Sequence, residues 1–291
     1  MKVHPIRDEI VAVDNIHLHS VQWSTQGPPV ILIHGLTANA FCFQALVDDL
    51  AGTYRTIAYD LRGRGDSDKP ATGYNVPTHA QDLLQFLDTL GIQQASIIGH
   101  SLGALIALYF AAHYPTRINK LVLIDAGAPL PWKTPEEQPA WLTAAIDRLG
   151  TPVPSFDEYL AHLKLAPFLG PYWNENIDLY IEHDVYRHED GSVRAKAYHE
   201  GILAEGRNIG QAAPEQQWHN VHAPTLLLRA GQRLFFDNDQ LLPEESALAV
   251  RRGIANCHYI NFPQLNHYTI IFGTEPGPGQ AIRQFLDEGN N

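Results

Sequence analysis

The chain is poor in sulfur: two cysteines, Cys42 and Cys257, and one methionine in 291 residues. Two thiols so far apart give no disulfide framework, so the fold rests on packing, and the pair fits a reducing compartment such as the cytoplasm. Nowhere do 18 apolar residues run together, which excludes a membrane-spanning helix. Met1 to Ser20 alternates and carries charges, without the apolar core of a secretory signal. Basic side chains are also scarce, 20 Lys and Arg against 32 Asp and Glu, for a formal net charge of −12. That surplus repels phosphate backbones and anionic lipid, so neither a nucleic acid nor a membrane is the expected partner. No internal repeat or low-complexity segment stands out. His183, His188, His199, His219 and His222 match no tight ligand spacing and lack thiolate companions, so no metal is expected. The apolar content, 45%, suffices for one large core with an insertion.

The most informative stretch is Gly99-His100-Ser101-Leu102-Gly103. Ala95 to Ile98 is short and β-branched, a strand, whereas Leu102 to His113 is too long and alanine-rich to be one and reads as a helix. Ser101 therefore falls on a tight strand-to-helix turn that pushes its hydroxyl into the open, with a glycine on either side where strand and helix would collide with a side chain. His100 neighbours the serine but points away from such a turn, as a packing residue.

A serine hydroxyl is a weak nucleophile near neutral pH and needs a base, an acid to orient that base and donors for an oxyanion. The strand Val30 to Ile33 runs into His34-Gly35-Leu36, where Gly35 permits close backbone approach and Leu36 presents its N–H. The second donor is the Leu102 N–H, at the positive end of the helix dipole. Fifteen histidines compete for the base. Cys257 to Phe262 alternates like a last strand and Asn266-His267-Tyr268 follows it in a loop, which selects His267 over His258 inside the strand.

These motifs, with Tyr59 to Ser67 and the strand Leu121 to Asp125, span residues 30 to 270. In that order they resemble an α/β-hydrolase fold enzyme of the esterase and lipase type. The resemblance implies an α/β fold with a mostly parallel central sheet flanked by helices, and a Ser–acid–His triad. It also makes Arg64-Gly65-Asp66 a structural loop rather than an adhesion tripeptide. One departure matters. The usual acid position, three residues after the strand-ending Gly231, is Leu234. A related branch takes its acid 24 residues after the nucleophile, here Asp125. Asp125 is thus the expected acid, with Asp239, which keeps its spacing to Pro243, and then Asp237 as alternatives.

Strand and helix patterns alternate up to Asp125 and resume at Thr225, with helices at Asn39 to Leu50, Val76 to Leu90, Glu244 to Arg252 and Gln280 to Asp287. Between them lies a different texture, rich in proline and tryptophan. We expect a core of residues 1–129 and 221–291 and a helical cap at 130–220 that closes over the serine. Trp132, Trp141, Tyr172 and Trp173 are the expected substrate-binding aromatics. The resulting expectation is a cytoplasmic, cofactor-free serine hydrolase. Its partner would be a small molecule, a small to medium apolar carboxylic ester or lactone, cleaved through an acyl-enzyme. Enzymes of the same fold also cleave C–C bonds or act as cofactor-free haloperoxidases, and a ligand sensor can retain the triad, so motif order alone does not separate these.

Overall fold

In the computed structural model, which describes residues 2–132, 137–234 and 239–289, an eight-stranded sheet runs through the centre of the molecule. Its first two strands, β1 (Arg7–Val13) and β2 (Ile16–Gln22), pair antiparallel. Then come β3 (Pro29–Ile33), a 3-10 turn Ala40–Phe43 leading into α1 (Gln44–Leu50), β4 (Arg55–Tyr59), α2 (Val76–Thr89), β5 (Ala95–His100), α3 (Leu102–His113) and β6 (Ile118–Ile124). Until the sheet resumes, the chain forms α4 (Ala140–Asp147), α5 (Phe156–Lys164), α6 (Glu175–Glu182), a hairpin of β7 (Val185–Arg187) and β8 (Val193–Ala195), α7 (His199–Asn208) and α8 (Pro214–Gln217). The sheet is completed by β9 (Thr225–Ala230) and β10 (Cys257–Phe262), with α9 (Glu244–Gly253) between them and α10 (Pro278–Asp287) after them.

The strand order is β1-β2-β4-β3-β5-β6-β9-β10, parallel from β4 to β10. Every residue of β5 and β9 is buried, the continuous apolar run of strands covered on both faces. Period-two alternation splits the core: Ile31 and Ile33 face one cluster with α2 and α3, while Val30 and Leu32 face another with α1 and α10. The chain steps from β3 outward to β4 and returns to the other side of β3 as β5. This reversal opens a crevice at the carboxyl ends of β3 and β5, where ligands bind in open α/β sheets.

The segment between β6 and β9 has a small cluster of its own around Ile146, Leu149, Ala195, Ala197 and Ile202, onto which Leu36 packs. Polar ties also join it to the sheet-bearing part: Asn39 Nδ2 donates to the Tyr180 carbonyl at 3.2 Å and Asn266 Nδ2 to the Phe168 carbonyl at 2.9 Å. Arg64 is wholly buried, and Asp66, itself exposed, pairs with Lys196 of this segment at 2.5 Å, so the Arg-Gly-Asp loop is tied to the fold at both ends. No helix among the described residues is long and apolar enough to cross a membrane.

Candidate active site

Ser101 joins β5 to α3 with φ 58° and ψ −121°, a conformation rare outside glycine and held by its surroundings. A Cβ on Gly99 would lie 2.2 Å from the Gly103 carbonyl oxygen, and one on Gly103 would lie 1.9 Å from that of Ile33. Both glycines are thus dictated by backbone approach. The Ser101 N–H donates to the Ile124 carbonyl at 3.1 Å, fastening the turn to the end of β6. The next residue, Asp125, is also left-handed, with φ 51°.

These neighbouring strand ends set the geometry. His267 Nε2 lies 3.0 Å from Ser101 Oγ, and His267 Nδ1 lies 2.7 Å from Asp125 Oδ2. Asp125 Oδ1 accepts the Ala230 N–H at 2.9 Å, so both carboxylate oxygens are engaged. Asn266 shapes the turn carrying His267, its Oδ1 accepting the N–H groups of Tyr268 and Thr269 at 2.9 and 3.0 Å. The His267 carbonyl lies 2.8 Å from His100 Nε2. Burial first, and then the neighbouring His267, hold the His100 pKa well below the usual imidazole value, so His100 is neutral and donates to that carbonyl.

The Gly35 backbone packs against the serine: a Cβ there would be 3.1 Å from Ser101 Cβ. Leu36 and Leu102 both line the cavity in front of Ser101, and among the described residues no hydrogen bond engages either backbone N–H. Burial lowers the His34 pKa to about 4, so His34 is neutral; its Nε2 accepts the Leu61 N–H at 3.0 Å and its Nδ1–H donates to the Gly35 carbonyl at 2.8 Å. That bond orients the peptide that carries the Leu36 N–H.

The cavity measures about 80 Å³ and is walled mainly by apolar side chains, Trp132, Trp141, Leu142 and Ile146 among them. Among the described residues, no lysine or arginine lines it. The Trp141 ring centroid lies 5.4 Å from that of His267, and its indole N–H donates to the Asp239 carbonyl at 3.0 Å.

The structure thus brings together Ser101, His267, Asp125, Leu36, Leu102, Trp132 and Trp141. It separates others. Asp239 accepts the Leu234 N–H with Oδ1 at 3.0 Å, while the oxygen facing His267 Nδ1 belongs to Asp125. Asp237 lies outside the described residues. Tyr172 and Trp173 do not line the cavity. The turn Gly170–Tyr172 carries them away: Tyr172 accepts from Gln232 at 2.8 Å, and the Trp173 indole donates to Asp178 at 2.7 Å with the Lys164 ammonium 4.9 Å from its ring. Sequence reasoning missed Gly206, Ile209, Leu241, Ile271 and Phe272 on the cavity wall. No spacing pattern marks them, because they come from separate elements.

The chain belongs to the alpha/beta hydrolase fold family, whose sequence model matches residues 28–274. It is 40% identical over 276 residues to a 2-(acetamidomethylene)succinate hydrolase of Mesorhizobium japonicum, covering 92% of this chain and 91% of that one. The crystal structure of an E-2-(acetamidomethylene)succinate hydrolase superposes with a TM-score of 0.82 at 26% identity, over 98% of this chain and 100% of the other. An uncharacterized protein of Mycobacterium tuberculosis is 39% identical over 101 residues, 35% of this chain, and the chain spans only 30% of that relative's length.

Proposed function

We propose that this chain is a serine hydrolase that cleaves small carboxylic esters or lactones through an acyl-enzyme. The observation that carries this reading is the relay from Asp125 through His267 to Ser101, at 2.7 and 3.0 Å, opening onto the apolar cavity. Ser101 Oγ attacks the carbonyl carbon, and His267 Nε2 takes its proton and returns it to the leaving oxygen. Asp125 keeps the Nδ1 proton in place so that Nε2 presents its lone pair to the serine. The N–H groups of Leu36 and Leu102 receive the charge that develops on the carbonyl oxygen. Water then releases the acid, and the serine is restored.

The segment 130–220 acts in this reading as a cap, and Trp132 and Trp141 as its contribution to the acyl pocket. A cavity of about 80 Å³ is small beside the roughly 300–1,000 Å³ that houses drug-sized ligands, which favours short acyl groups. The relative of 40% identity favours a second reading, hydrolysis of an acetamido-bearing dicarboxylate. Against it stands the cavity wall, which among the described residues offers no cation to either carboxylate.

The test is a turnover panel of 4-nitrophenyl acetate, a small lactone and 2-(acetamidomethylene)succinate. The ester reading expects sustained turnover of the first two, lost in Ser101→Ala. Turnover of the third compound alone would replace it with the second reading, and a single turnover without a steady rate would mark a sensor rather than an enzyme.

A further inference from the structure

The backbone that carries the Leu36 N–H is held on both sides. The carbonyl of its own peptide unit, Gly35, accepts from His34 at 2.8 Å, and the Leu36 carbonyl, in the next unit, accepts from Arg64 Nε at 2.9 Å. His34 belongs to the same strand end. Arg64 comes from the loop after β4 and is wholly buried. Its Nη1 donates to the Arg62 carbonyl at 2.9 Å, and its guanidinium carbon lies 5.8 Å from the Tyr74 ring centroid.

A guanidinium with no access to water costs several kcal/mol unless an anion faces it. That anion is Glu205 of α7, wholly buried too, with Oε2 3.4 Å from both Nη1 and Nη2 and 2.6 Å from His79 Nε2 of α2. Burial opposes the Glu205 charge, but His79 and Arg64 outweigh it and hold the carboxyl below its usual range. At 3.4 Å the attraction to Arg64 is Coulombic more than a short hydrogen bond. Gly206, the residue after Glu205, and Ile209, at the C-terminal cap of α7, line the cavity in front of Ser101. One helix of the inserted segment therefore both closes the cavity and supplies the counter-charge for a side chain that holds the Leu36 peptide.

We propose that Arg64 is a positioning residue for the oxyanion-binding N–H of Leu36, and that Glu205 is the latch that keeps Arg64 there. The hole is complete only while α7 is seated. This rests on the serine-hydrolase reading, and it makes seating of the inserted segment a condition of transition-state stabilisation rather than of substrate enclosure alone.

Two variants test it. Arg64→Lys keeps the charge but removes the Nε donor; Glu205→Gln keeps the shape but removes the charge. Competent sites are counted by fluorophosphonate labelling run to completion, so that rates are per site. kcat and KM are measured on 4-nitrophenyl acetate. Affinity is measured for a small trifluoromethyl ketone, whose adduct places a negative oxygen in the hole, and for its methyl ketone parent, which stays largely unadded. For R64K the expected result is a kcat about 10- to 100-fold lower with KM little changed, and a matching loss of trifluoromethyl ketone affinity only. E205Q should shift the same quantities in the same direction. Wild-type kcat per site and wild-type discrimination between the ketones in both variants, whatever their melting temperatures, would overturn the proposal and leave a purely structural ion pair. If R64K does not fold, E205Q decides by the same criteria. If the wild-type chain is neither labelled at Ser101 nor turns over ester, the hydrolase reading falls and this inference with it; a labelled wild type with unaffected variants sinks this inference alone.

Discussion

Replacing Asp125 by Asn probes the relay most sharply, because the structure dictates which way the new amide turns. Asp125 Oδ1 accepts the Ala230 N–H at 2.9 Å, and Oδ2 faces His267 Nδ1 at 2.7 Å. In Asp125→Asn the amide oxygen must stay on Ala230, since turning NH₂ toward that buried N–H would leave a donor unsatisfied at a cost of about 1–3 kcal/mol. The NH₂ group then donates to His267 Nδ1, which forces the ring proton onto Nε2, the nitrogen that has to accept from Ser101. A serine relay locked in the wrong tautomer loses about four decades of kcat, which at about 1.36 kcal/mol per decade is about 5.4 kcal/mol of transition-state stabilisation. The fold should survive, because Asn tolerates the left-handed backbone at this position, φ 51°. Steady-state rates on 4-nitrophenyl acetate beside a thermal melt give the answer. A loss under tenfold in a folded D125N, or a large loss in Asp239→Asn, would refute the assignment.

Three further outcomes are expected. Ser101→Ala should lower turnover by at least about 10⁵-fold while the melting temperature holds, and survival of the rate would remove the nucleophile. Gly103→Ala should destabilise by at least about 2 kcal/mol in urea unfolding, since its Cβ would fall 1.9 Å from the Ile33 carbonyl oxygen and β3 cannot yield as a flexible side chain would; wild-type stability would contradict the close approach. Burial opposes charge on His19, but hydrogen bonds and charge from Asp60 and Asp8 outweigh it and raise its pKa from 6.5 to about 9. Because the folded value lies above the unfolded one, this stabilisation is full below about pH 6.5 and is lost as pH rises through about 9. The stability difference between wild type and His19→Gln should accordingly shrink across that window, and a constant difference would exclude the charged pair.

What the sequence disclosed of the site follows from how local each constraint is. Gly99 and Gly103 are legible because one turn, with strand and helix in contact, admits nothing larger, and the helix from Leu102 to His113 matches α3 at both ends. The expected helix from Asn39 begins instead as the 3-10 turn Ala40–Phe43, with Asn39 as its cap, because Asn39 Oδ1 takes the Phe41 N–H at 3.0 Å. His267 could be chosen from chain order, and Asp125 could be placed ahead of Asp239 only by resemblance to a related branch, because which strand ends lie side by side is not legible in the sequence. β6 lies between β5 and β9, so Asp125 stands next to the serine turn, whereas the Asp239 carboxylate is taken by the Leu234 N–H. Arg64 and Glu205 are 141 positions apart, and neither has a neighbour in sequence that announces the other. Tyr172 and Trp173 stand out in the sequence for their aromatic character, which says how much surface a side chain needs to cover but not which way its turn faces.

The wall of the cavity, which among the described residues carries no lysine or arginine, has a bearing on how a catalytic cycle would finish. Ester hydrolysis turns a neutral substrate into an anion and delivers a proton to the same small space. Among the described residues no lysine or arginine faces that space, and the chain as a whole carries a formal charge of −12. The nascent carboxylate would thus be born into a chamber that attracts it weakly and a surrounding field that repels it. On the proposed chemistry, departure of the acid is downhill, and accumulated product should be a feeble inhibitor even when it closely resembles the substrate in shape.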